Sequence, residues 1–205
     1  MPDDSIIDEH VDATGAETGG AAPRPRRIAP IVVGGVAVVL AGLFWVILSS
    51  GGSSTDFTRS PLLGKPAPAS QGAFADGSSF ELSRRKGSWV VLNFFTHNCV
   101  PCVREHPDLV AFVEQQRALG TDGAEFYSIV RDSTQEEVDE FFAERGGDWP
   151  IVYDADFEFS NDFGVALVPE TWIIDPNGVV RRRIPSEVDG DQLSLLMQAL
   201  REGAA

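Results

Sequence analysis

Trp89-Val90-Val91-Leu92-Asn93-Phe94-Phe95-Thr96-His97-Asn98-Cys99-Val100-Pro101-Cys102 contains both cysteines of the 205-residue chain. Its first seven residues are an apolar run broken only by Asn93, the pattern of a central strand covered on both faces. After Val100 the period changes: Leu109, Phe112, Val113 and Gln116 fall at helical spacing, with Leu119-Gly120 as a stop. A Cys-x-x-Cys at a strand-to-helix junction signals thiol–disulfide chemistry, because the aligned N–H groups of a helix N-terminus favour a thiolate. Pro101 suits a first helical turn, where its missing N–H is not needed. Pro107, further in, is expected to kink the helix.

Two plainer readings of the cysteines are weaker. Closing so short a loop removes little unfolded-state entropy, well below the roughly 3 kcal/mol of a 15-residue loop. A tetrahedral zinc site needs four ligands, and only His97 and His106 lie close in sequence.

Working outward, the chain divides by composition. Residues 1–27 are rich in Asp, Glu, Gly, Ala and Pro and read as a disordered cytoplasmic tail. Residues 28–48 carry no charge and would span about 32 Å as a helix, matching a hydrocarbon core of about 30 Å. A cleaved signal peptide fits less well, because its apolar core is usually about 7–15 residues and Leu48-Ser49-Ser50-Gly51 is a poor cleavage site. Arg24, Arg26 and Arg27 precede the run and no Lys or Arg follows until Arg59, so the positive-inside rule puts the N-terminus in the cytoplasm. The expectation is a single-pass protein of a bacterial cytoplasmic membrane with its catalytic domain outside, where disulfides persist. Residues 49–60 form a Gly/Ser-rich linker, and Pro61, Pro66 and Pro68 stiffen the chain just beyond it. The whole chain has 31 acids against 16 Lys and Arg, and its head, 61–205, is also net negative. Nucleic acid and anionic lipid surfaces are therefore poor partners.

Within the head, a hairpin is expected around Asp76-Gly77, joining Ala73-Phe74 to Phe80–Leu82. Strands are expected at 125–130 and 151–153, with an amphipathic helix over 134–145 opened by Ser133 or Thr134. That alternation implies parallel pairing. A short helix near 156–163 precedes Val168-Pro169-Glu170. A hairpin then runs from Thr171–Asp175 through Pro176-Asn177-Gly178 to 179–184, and a helix over 189–201 closes the domain. Arg181-Arg182-Arg183 reads as a solvated strand end or edge guard.

The element order, the cysteine pair and Val168-Pro169-Glu170-Thr171 together resemble the thioredoxin fold, a mixed α/β sheet flanked by helices. More closely they are similar to the membrane-tethered TlpA/ResA/CcmG (DsbE) family of extracytoplasmic thiol–disulfide oxidoreductases. The specific segments are Leu92-Asn93-Phe94-Phe95, Arg104-Glu105-His106-Pro107 and Pro169-Glu170-Thr171-Trp172-Ile173-Ile174-Asp175 followed by Asn177-Gly178. The resemblance implies that Pro169 is a cis-proline against the pair and that Glu105 influences thiol titration. It implies, too, that Glu170 is an acid beside the peptide groove. Asn98, Val100, Pro101 and Val168 would join Glu170 in contacting substrate. Asn93 stands where thioredoxin has a buried aspartate, so another acid must assist any proton transfer. The family usually has Trp before the first cysteine, and here Asn98 replaces it.

Cys99 is expected to attack as the exposed thiolate and Cys102 to resolve the mixed disulfide. No cofactor or metal is expected beyond the pair itself. The resemblance implies a protein disulfide as substrate, such as apocytochrome c haem-attachment cysteines, and a CcdA/DsbD-type membrane carrier as electron donor. The rivals are a disulfide-forming oxidase, a peroxidase suggested by Thr96-His97-Asn98-Cys99, and a copper chaperone on the same fold. His97 reads either as an aid to the thiolate or as an idle loop residue.

Overall fold

The computed structural model describes the backbone of residues 29–50 and residues 60–203. The chain separates into two compact units, Met1–Ser53 and Ser54–Ala205. In the first, α1 spans Ala29–Ser50. Side chains are described from Val33 to Trp45, and the large apolar ones among them are each more than half exposed. Among the described residues no helix is long and apolar enough to cross a membrane. The expected tail and most of the expected linker lie outside the described residues.

The second unit is built on a mixed seven-stranded sheet. Its strands are β1 (Gln71–Ala73), β2 (Ser79–Glu81), β3 (Val90–Phe95), β4 (Glu125–Val130), β5 (Ile151–Tyr153), β6 (Glu170–Ile174) and β7 (Val180–Ile184). They lie in the order β2-β1-β5-β4-β3-β6-β7. The β3–β4 and β4–β5 pairs are parallel, and β6 and β7 add antiparallel to β3's other side, as alternation and the Asn177-Gly178 turn predict. The helices are α2 (Val100–Ala118), α3 (Gln135–Arg145), α4 (Glu158–Phe163) and α5 (Gly190–Arg201). Thr134 opens α3 with a reciprocal capping box to Glu137. α2 runs through Pro107 as one continuous helix.

All six residues of β3 are buried, and their alternation assigns them to two cores. Leu92 and Phe94 pack with Phe80, Tyr127, Phe159, Phe163 and Trp172 on the face that α4 covers. Val91 packs with Phe112, Phe126, Ile173, Leu193 and Met197 on the face that α2 and α5 cover. Phe95, at the strand's end, joins Cys102, Val130, Val138 and Phe141 beneath the cysteine motif. A strand held so completely fixes where its C-terminal end, and thus Cys99, must emerge.

β7 is the edge strand, as expected, but its arginines are not simply solvated. Arg181 Nε donates to Asp175 at 2.8 Å, and Arg183 makes two bonds to the Glu170 carboxylate, at 2.8 and 2.9 Å, with its guanidinium over the Trp172 ring. They bind β7 to its neighbour and the β6–β7 turn.

α2 and α5 meet closely at Gly190, where an added Cβ would stand 2.7 Å from the Asp108 carbonyl oxygen. Backbone cannot yield as a flexible side chain does. Gly190→Ala is expected to destabilise the unit by about 1–3 kcal/mol, the usual cost of overpacking, measured by urea denaturation.

Candidate active site

The end of β3 and the start of α2 place the two sulfurs. Cys99 is the N-cap of α2, with extended backbone, and its Sγ accepts the Cys102 N–H at 3.2 Å. The Cys99–Cys102 disulfide is formed, with a Cα–Cα separation of 5.2 Å. Cys102 is buried while Cys99 is part-exposed, which matches the expected division into resolving and attacking sulfur. A thiolate on Cys99 keeps the Cys102 N–H as donor and lies at the positive end of the helix dipole.

Opposite the pair, the Val168–Pro169 bond is cis. The Val168 carbonyl oxygen lies 3.7 Å from Cys99 Sγ. Asn98 and Val100 are exposed beside Cys99, Pro101 and Val168 are half-buried, and Leu167 is 80% exposed. Val100 and Leu167 thus expose apolar side chains on the cysteine loop and on the cis-proline loop. Leu167 was not singled out from sequence, because an isolated leucine in a loop gives no sign of its exposure.

Glu105 follows Cys102 by three residues on α2, so the two share a helix face. Its side chain is buried; one oxygen accepts from Asn93 Nδ2 at 2.9 Å and the other from the Val188 N–H at 3.0 Å. Asn93 Nδ2 lies 3.2 Å from Thr171 Oγ1 as well. Burial pushes the Glu105 carboxyl up to about 7, and the two donors only partly offset it; Glu187 and Asp108 push the same way. Asn93 is thus in contact with a buried acid, Glu105. Val188 and Thr171 were not identified from sequence, since each meets Glu105 or its partner only through tertiary packing.

Glu170 has a different place from the one the resemblance implies. It registers with Phe94, on the opposite face of the sheet from Asn93 and Thr171, and is buried in its bidentate pair with Arg183. A carboxylate so enclosed braces the sheet edge and is not offered to a substrate.

Neither nearby histidine is idle. His106 is buried, with Nε2 2.8 Å from the Gly146 carbonyl and its ring against Phe141, Phe142 and Trp149. Desolvation lowers its pKa, the neutral form being favoured there. His97 is partly buried, and its Nδ1 lies 2.9 Å from Ser133 Oγ. Among the described residues no group of three or more His, Cys, Asp or Glu side chains is placed to hold a metal. A cleft of about 160 Å³ lined by Pro66, Leu82, Val90 and Ile174 lies at the far end of β3 and is separate from this site.

Comparison with known proteins agrees with this geometry. The model of the AhpC/TSA family matches residues 63–183. The chain belongs to this family. It is 32% identical over 149 residues to the thiol:disulfide interchange protein HelX of Rhodobacter capsulatus, covering 70% of this chain and 80% of HelX. It is 27% identical over 128 residues to the thiol-disulfide oxidoreductase ResA of Bacillus subtilis, covering 62% and 70% respectively. The solved structure of a secreted thiol-disulfide isomerase from Corynebacterium glutamicum superposes with a TM-score of 0.57 at 26% identity, over 62% of this chain and 80% of that one. With a Cys-x-x-Cys pair on a thioredoxin-like fold, this member is a thiol–disulfide oxidoreductase of the ResA/HelX/DsbE type.

The raised Glu105 carboxyl couples stability to pH. Between its ordinary value of 4.5 and about 7, the native carboxyl holds a proton that the unfolded chain releases. Its contribution to stability is therefore full below pH 4.5 and lost as pH rises through 7. Glu105→Gln removes this loss, on the order of 3 kcal/mol, and urea denaturation of both proteins between pH 4.5 and 7.5 measures it.

Proposed function

We propose that this protein reduces disulfides of exported proteins at the outer face of a bacterial cytoplasmic membrane, held there by residues 28–48. The observation that carries the chemistry is Cys99 capping α2 with the Cys102 N–H on its sulfur, and the Val168 carbonyl of the cis-proline loop 3.7 Å from that sulfur. The charge-free run and the arginines preceding it support the anchor and its orientation. The exposed apolar side chains of α1 suit a helix that meets lipid.

In this reading the reduced Cys99 thiolate attacks one sulfur of a substrate disulfide. A mixed disulfide forms and the other substrate sulfur leaves as a thiolate, which takes up a proton. Cys102, deprotonated, then attacks Cys99 Sγ and releases the second substrate thiol. Two electrons have passed to the substrate and the Cys99–Cys102 disulfide remains. Glu105, the buried acid one helical turn from Cys102, is the group that accepts and returns the proton near neutral pH. Resemblance to the ResA/CcmG branch supports apocytochrome c haem-attachment cysteines as the substrate and a CcdA/DsbD-type membrane carrier as the source of electrons.

The direction is tested by the reduction potential of the pair, equilibrated against defined thiol buffers with the full chain in detergent. A reductase of this kind is expected near the value of thioredoxin, about −270 mV. A value near the roughly −120 mV of a strong oxidant would overturn the reading and make the protein a disulfide-forming oxidase.

A further inference from the structure

Two loops that are far apart in sequence, residues 96–99 and 164–169, meet at Cys99, where the Val168 carbonyl oxygen lies 3.7 Å from its sulfur. Both are tied to the same three residues following β4. On one side, Ser133 Oγ accepts the backbone N–H of His97 at 3.1 Å and lies 2.9 Å from both Thr96 Oγ1 and His97 Nδ1. In the Nε2–H tautomer of His97, the Ser133 hydroxyl donates to Nδ1 and accepts from the His97 N–H. On the other side, Arg131 Nη1 donates to the Val165 carbonyl at 2.8 Å, three residues before Val168, and its guanidinium lies over the Phe157 ring.

Asp132, between them, has φ of +52°, an uncommon backbone for a residue with a side chain. Its carbonyl lies 3.3 Å from Thr96 Oγ1, a second acceptor within reach of the one hydroxyl proton of Thr96. Strain kept in a loop by contacts on both sides is consistent with a functional constraint there.

We propose that Arg131 and Ser133 are positioning residues that set the spacing between Cys99 and the cis-proline loop, and so select peptide disulfides over small ones. A peptide must lie across both loops to present its sulfur, whereas a small disulfide needs only access to Cys99. The inference rests on the reading that the pair reduces protein disulfides.

The test uses the full chain in detergent, reduced beforehand, in single turnovers. The two probes are a synthetic peptide with an intramolecular disulfide and 2-hydroxyethyl disulfide. Ser133→Ala and Arg131→Gln are each expected to raise the half-saturating peptide concentration about fivefold, the scale of one ordinary hydrogen bond, with the limiting rate unchanged. Reduction of 2-hydroxyethyl disulfide changes less than about twofold by the same reasoning, and Ser133→Thr, which keeps the hydroxyl, restores peptide saturation. Thermal unfolding identifies any variant that does not fold, and the other then carries the test. Unchanged peptide saturation in both, or an equal loss on the two probes, would overturn the inference while leaving the reductase reading intact. A wild-type protein that reduces 2-hydroxyethyl disulfide but not the peptide would overturn both.

Discussion

The bond from the Cys102 N–H to Cys99 Sγ joins the architecture to the chemistry. It exists because β3 is buried along its whole length and delivers the chain to one point, where α2 begins. A helix start leaves N–H groups without intrahelical partners, and here a sulfur takes one of them. The group that completes the helix is thus the group made nucleophilic by it. The cores on the two sheet faces keep that junction in place, with Phe95, Val130 and Phe141 filling the space beneath Cys102.

Two buried carboxylates show how environment divides similar residues between roles. Glu170 meets a guanidinium in two parallel bonds, an arrangement that fixes its orientation. Glu105 meets only neutral donors, so burial outweighs them and the group titrates near neutrality. Removing either partner of the Glu170–Arg183 pair would leave a buried charge, a costly state. Glu105 can instead take a proton. That freedom suits a site where thiols gain and lose protons.

Much of this was legible in the sequence. The β3 run, the cysteine pair and the Asn177-Gly178 turn each have a local signature, and those local signatures determine strand order and the position of the redox site. Residues whose partners are distant in sequence were harder to place. The resemblance placed Glu170 beside the substrate, but strand alternation puts it on the sheet face opposite Asn93 and Thr171, where Arg183 meets it. Ser133 was legible only as a helix opener; its hydroxyl serves the cysteine loop, while Thr134 supplies the cap. His97 likewise has a partner that only the β4–α3 connection could bring near. The cis geometry at Pro169 has no composition signal at all, since most X–Pro bonds in folded proteins are trans.

Everything proposed for this protein depends on Cys99 being the attacking sulfur and Cys102 the protected one. The most direct measurement is alkylation of the reduced full chain with limiting iodoacetamide at pH 7, followed by peptide mapping. Label on Cys99 with Cys102 unmodified is the predicted result. Label on Cys102, or equal label on both, would contradict it.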